Sequence, residues 1–117
     1  MGFHQIILQF MKTKLVTTVL SMLDLDKQES IMSLLEQHKQ DIMDTFNFKN
    51  VVIHPPNENL NPKMIAIALQ PKSETDWADY NANHRANIKT WFVENLITPG
   101  LVKVEHTWIS EIELVIQ

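Results

Sequence analysis

The segment Phe3–Leu23, FHQIILQFMKTKLVTTVLSML, can be laid out as helix or as strand, and the order of elements in the whole chain turns on the choice. As a helix, Phe3, Ile7, Phe10 with Met11, Leu15, Val19 and Met22 with Leu23 make one continuous apolar stripe, with Gln5, Gln9, Lys12, Lys14 and Ser21 mostly off it. As a strand followed by a helix, His4–Met11 pairs first and the helix starts after Thr13. The β-branched residues Thr13, Val16, Thr17, Thr18 and Val19 lose χ1 freedom in a helix and weaken the first reading. The continuity of the stripe nevertheless favours a single helix. Lys12 and Lys14 interrupt the apolar run and no small-residue cleavage site follows, so the segment reads as folded protein rather than a signal or a membrane span. Gly2 does not open a myristoylation motif, because Ile6 stands where Ser or Thr is needed.

Downstream the signals are sharper. Asp24-Leu25-Asp26 is a break, Asp26 and Glu29 form a capping pair, and a helix is expected from Lys27 to about Phe46 with Ile31, Leu34, Leu35, His38, Ile42 and Phe46 as its stripe. Asn47–Asn50 reads as a turn. Val51-Val52-Ile53 is a short strand that Pro55-Pro56 must end, since neither proline can donate to a ladder. Lys63–Gln70 alternates, with Ile65, Ile67 and Leu69 on one side and Met64, Ala66 and Ala68 on the other, and it pairs with Val51–His54 as a hairpin. The two alanines are expected to let a helix lie close to the sheet.

Ser73 and Asp76 make an acidic capping box that starts a helix near Glu74; Pro99 and Gly100 end it near Ile97. Trp77, Tyr80, His84, Ile88, Trp91 and Asn95, flanked by Phe92 and Leu96, form a bulky, largely aromatic face. In Leu101–Gln117 a period of two puts Val102, Val104, His106, Trp108, Ser110, Ile112, Leu114 and Ile116 together, against Lys103, Glu105, Thr107, Glu111 and Glu113. No Gly, Pro, Asn or Asp interrupts this stretch, so it is either one long strand, bulged near Ser110, or two strands joined by a bend there.

The fold class is therefore α+β: a small antiparallel sheet of three to four strands with two or three helices on one face. The order is ααββαβ, or βαββαβ as in ferredoxin-like folds if the first segment opens with a strand. At 117 residues, with 44% hydrophobic and 21% charged residues, the chain is expected to be a single domain, residues 1–117, with one core. A net charge of -4 argues against affinity built on phosphate neutralisation. The absence of cysteine excludes disulfides, thiolate metal sites and cysteine nucleophiles, and an intracellular, cytoplasmic home is expected.

Candidate chemistry is sparse. Five histidines, His4, His38, His54, His84 and His106, could converge on a metal or an acid–base centre, but no pair has a helical ligand spacing. Asp76, Asp79 and Asn83, with Arg85 nearby, could anchor a cation or a substrate, although acidic residues in a first turn also complement the helix dipole. Trp108 and Phe48 are the aromatics that could stack on single-stranded bases. With only Gly2 and Gly100, neither a Rossmann fingerprint nor a P-loop is possible, and no GxSxG or HExxH occurs. No cofactor, catalytic residue or metal is expected.

The reading that follows is a non-enzymatic interaction or assembly module, as in a viral building block, that self-associates through its C-terminal strand. Val104, His106, Trp108, Ile112 and Leu114 are its contact residues, with His54, Asn57 and Glu58 in the polar loop as a second set. An inhibitor or antidote that binds a larger protein is an alternative, as is a single-stranded nucleic-acid regulator. A membrane partner is not expected.

Overall fold

The computed structural model describes residues 9–46 and 48–116. Phe3–Leu8 with His4, and Asn47 at the start of the expected turn, lie outside the described residues. The described residues form four strands: β1 Gln9–Met22, β2 Phe48–His54, β3 Met64–Pro71 and β4 Val102–Ile116. Helix α1, Gln28–Thr45, joins β1 to β2, and a helical segment over 74–97 joins β3 to β4. The sheet order is β2-β3-β1-β4 with every neighbour antiparallel. This is the ferredoxin-like βαββαβ order, and both helical crossovers pack on one face of the sheet.

In the described part Gln9–Met22 is one strand of 14 residues, so the single helix is overturned, and of the alternative reading the opening strand holds over Gln9–Met11 while the helix after Thr13 does not form. The strand takes Val16, Leu20 and Met22 into the core against the helices and leaves Lys12 exposed, as is Leu23 just past its end. Its β-branched run favours the pleat. It also supplies the central partner that both β3 and β4 need, and a helix there would leave their backbone groups unpaired.

Three further expectations are corrected. The first cap is at Asp24, whose carboxylate accepts from the Asp26 N–H at 3.0 Å to open a 3-10 turn, Leu25–Lys27, ahead of α1. Phe48–Asn50 belongs to β2 rather than to a turn, because Phe48 is needed in the core, edge-on to Phe46 and Tyr80. Ala66 and Ala68 face away from the helices, and it is Ile65, Ile67 and Leu69 that meet them.

The expected helix 74–97 is present, capped by Ser73, whose hydroxyl accepts from the Asp76 N–H at 3.2 Å and donates to the Asp76 carboxylate at 2.8 Å. It is not uniform. Helix α2, Glu74–Asp79, and helix α3, Arg85–Phe92, are separated by a π turn, Tyr80–His84, and a second π turn, Val93–Ile97, follows α3. In each the bond runs back five residues, Arg85 N–H to the Tyr80 carbonyl and Thr98 N–H to the Val93 carbonyl. The buried residues Tyr80, Ile88, Phe92 and Leu96 fall at multiples of four. A regular helix of 3.6 residues per turn would let such a series drift by about 40° per step, and the wider π turns recover part of that drift.

The strand β4 is single, paired with β1 from Met22–Val102 to Gln9–Ile116. Its bulge lies at Glu105, between the pairs Leu20–Val104 and Val19–His106, rather than at Ser110. The alternation therefore changes phase there. Val102, 2% exposed, and Val104 face the helices, while His106 and Trp108 face the other way.

Candidate functional site

The sheet face opposite the helices is uncovered by the chain's own described elements, and its composition is ordered. The strand pairings put His54, Ala66, Val19 and His106 in one row across the four strands and Val52, Ala68, Thr17 and Trp108 in the next. In both rows the two central strands supply Ala, Thr or Val, and the edges supply His54 and Val52 from β2 and the larger His106 and Trp108 from β4. Thr17 and Ala68 are buried and Val19 and Ala66 half-buried, whereas Val52 is 41% and Trp108 46% exposed. The face is thus a shallow trough with a floor of Ala, Thr and Val and walls of Val52 with His54 and Trp108 with His106. The walls stand about 14 Å apart, three strand spacings.

Beyond the trough, β1 and β4 continue together. The pairs from Leu15–Ser110 to Gln9–Ile116 extend past Val16–Leu69, where β3 stops pairing with β1. A buried threonine marks the departure, Thr13 donating its hydroxyl to the Pro71 carbonyl at 2.9 Å. A two-stranded ribbon with no third strand is marginal by itself and gains from being covered.

The residues expected to act together are sorted by this geometry into different places. His106 and Trp108 stand on the trough wall, with Ile112, half-buried, further along β4 opposite Thr13, and Leu114 in register with Met11. Val104 lies on the opposite face because of the bulge at Glu105. His54 stands on the far wall, at the other edge of the sheet. Asn57 is occupied locally: its side-chain oxygen accepts from the Asn59 and Leu60 N–H groups at 3.0 and 3.2 Å, and exposed Glu58 sits within that turn. Sequence reasoning missed Val52, Ala66, Ala68, Thr17 and Val19. The alternation Met64-Ala66-Ala68 was visible, but whether the small side was turned to a helix or away from it was not.

Among the described residues the histidines do not converge. His38 is buried between the helices, with its ring stacked on Trp91 at 3.7 Å. His84 lies at the first π turn, with Nε2 2.9 Å from Asp79 Oδ2. Asp79 also accepts from Asn83 at 2.7 Å, and these hydrogen bonds, that of Asn83 foremost and then that of His84, hold its carboxyl below the usual range. The cluster around Asp79 is thereby occupied by its own helix, Arg85 donates to Asn81 at 3.1 Å, and Asp76 meets Ser73. Among the described residues no three His, Asp or Glu side chains gather as a metal site. Phe48 is 4% exposed and in the core, so it cannot stack on a base. No helix among the described residues is long and apolar enough to cross a membrane.

No protein-family model and no curated protein sequence matches this chain. Solved structures do. The fold is similar to that of a protein from Shewanella oneidensis, with a TM-score of 0.56 at 14% identity, covering 94% of this chain and 99% of that one. It is similar to a dimeric ferredoxin-like protein from an uncultured marine organism, TM-score 0.55 at 11% identity, with coverage of 90% and 95%. A conserved protein from Methanosarcina mazei Go1 matches at TM-score 0.53 and 13% identity over 86% and 91% of the two chains. Across this divergence what is shared is the α+β ferredoxin-like fold.

Proposed function

We propose that this chain is a small, non-catalytic module that works as a homodimer, two copies packing the open faces of their sheets together. The observation that carries the reading is Trp108, exposed beside a floor of Ala66, Ala68 and Thr17 on the face that the helices leave free. A large projecting ring next to a small-residue floor on the same surface is self-complementary: under a two-fold axis, each Trp108 can enter the partner's trough. Sheets packed face to face sit about 10 Å apart, a distance that one interdigitated layer of such side chains fills. The same packing would cover the ribbon of β1 and β4. The dimeric ferredoxin-like neighbour from an uncultured marine organism supports the same reading. The contact is thus made by side chains of the C-terminal strand, rather than by backbone pairing along its edge. That edge is guarded by the bulge at Glu105 and by charged Lys103, Glu111 and Glu113, features that discourage edge pairing.

Light scattering coupled to size exclusion tests the reading. The expected mass is twice the 13.6 kDa of the chain at micromolar and higher concentrations. Ala68→Arg and Trp108→Ala should each yield a monomer with an unchanged far-ultraviolet circular dichroism spectrum. A wild-type monomer over the whole range, or a dimer indifferent to Ala68→Arg, would overturn it.

A further inference from the structure

On the other side of the sheet a cleft of about 240 Å³ opens between β1, β4 and the helical segment 74–97. Thr18, Val104 and Thr107 line it from the sheet, and Tyr80, Phe92 and Val93 from the helix. Three backbone irregularities meet there. The π turn over Tyr80–His84 contributes Tyr80, the π turn over Val93–Ile97 contributes Val93, and the bulge at Glu105 turns Val104 to this face. Such π turns and bulges each disturb regular pairing, and both concentrate at functional sites.

The electrostatics of the rim are one-sided. Arg85 and Lys89 lie one helical turn apart, both exposed, and both border the cleft. Among the described residues neither meets a carboxylate; the Arg85 guanidinium donates to the neutral Asn81 side chain. The Tyr80 ring is buried and lines the cleft. An apolar pocket with a few convergent polar groups is the usual form of a small-ligand site, and this one falls below the roughly 300–1,000 Å³ of sites for drug-sized molecules.

We propose that this cleft binds a small organic anion with a compact apolar body, of the size of a monocyclic carboxylate. Arg85 and Lys89 hold the anionic group at the mouth, and Phe92, Val93 and Val104 contact the body. The cleft is independent of dimerisation, since the trough is on the opposite face of the sheet. Amide chemical-shift titration of the full chain tests the assignment, with sodium benzoate as the probe and benzyl alcohol as its uncharged counterpart. Benzoate should saturate with a dissociation constant on the order of millimolar, in keeping with so few atoms, and should shift the amides of Arg85, Lys89, Val93, Val104 and Thr107. Benzyl alcohol should bind about tenfold more weakly, and the double variant Arg85→Gln/Lys89→Gln should reduce benzoate binding to that level while leaving benzyl alcohol unchanged. Thr107→Trp, at an exposed strand position, should fill the cleft and abolish both. No saturable binding at about ten times the expected constant, equal affinity for the two probes, or shifts scattered away from the cleft would each overturn the proposal.

Discussion

His38 and Trp91 lie ring on ring, 3.7 Å apart and within 1° of parallel, with Phe92 edge-on to the same imidazole at 5.4 Å. This contact ties α1 to α3, and it needs a neutral imidazole, since Nε2 is buried without a partner among the described residues. Burial pushes the His38 pKa down to about 4, with nearby Asp41 opposing the shift. The unfolded chain takes up the proton near pH 6.5 and the folded chain only near 4, so this group's contribution is complete above pH 6.5 and is lost as pH falls through that window. Urea unfolding should show a loss on the order of 2–3 kcal/mol from this residue between pH 7 and 4, and His38→Leu should flatten the curve over the same interval. Gly100 is a second residue of this kind. Its φ is +76° and nothing lies within 4 Å of the place a Cβ would take, so the whole cost of Gly100→Ala is backbone strain. A loss of about 1–2 kcal/mol by urea unfolding is expected, with Gly100→Asn milder. Both residues were legible as special in the sequence, one by its place on an apolar stripe and one by following proline. Trp91 as the partner of His38 was not, because that contact depends on how two helices cross.

Among the elements, β1 and β4 show how neighbours override local pattern. The apolar residues of Phe3–Leu23 satisfy a helical stripe and a pleat almost equally, and the decision falls to the two strands that pair with Gln9–Met22. In β4 the period of two is real on each side of Glu105 but reverses across it. One residue inserted in a strand moves every later side chain to the other face. Deleting Glu105 would join the pairs Leu20–Val104 and Val19–His106 directly and leave every side chain on its face, whereas deleting Lys103, beside the bulge, should be far more damaging, because it puts either Val102 on the open face or Glu105 in the core-facing place of Val104. A loss of more than about 2 kcal/mol in urea unfolding is expected for the Lys103 deletion, against a mild effect of the Glu105 deletion and a near-neutral Glu105→Ala, whose solvated pair with Lys103 at 3.7 Å contributes little. Equal effects of the two deletions would show that the bulge does not hold the phase.

For the molecule as a whole, the sheet divides two surfaces of different character. The helix side holds the core and a cationic-rimmed cleft; the open side holds the trough and leads onto the ribbon. The proposed self-association through the open side would make folding depend on concentration, because only folded chains can dimerise. The melting temperature of the wild type should rise with protein concentration, while that of Ala68→Arg should stay constant. Calorimetry over a hundredfold range distinguishes the two behaviours, and a wild-type melting temperature independent of concentration would count against the dimer.

By itself the sequence determined the α+β class, the two helices, the β2–β3 hairpin, and the cap and stop of the segment 74–97, all of which rest on local chemistry: capping side chains, proline's missing donor, and periods of two and near four. The tertiary structure decided the state of Gln9–Met22, the phase of β4, the outward turn of Ala66 and Ala68, and the separation of Val104 from His106 and Trp108 onto the two faces of β4. The physical reason is common to these. Each depends on which backbone groups or side chains a distant segment presents, and a period of two states that a strand has two faces without stating which one the helices will cover.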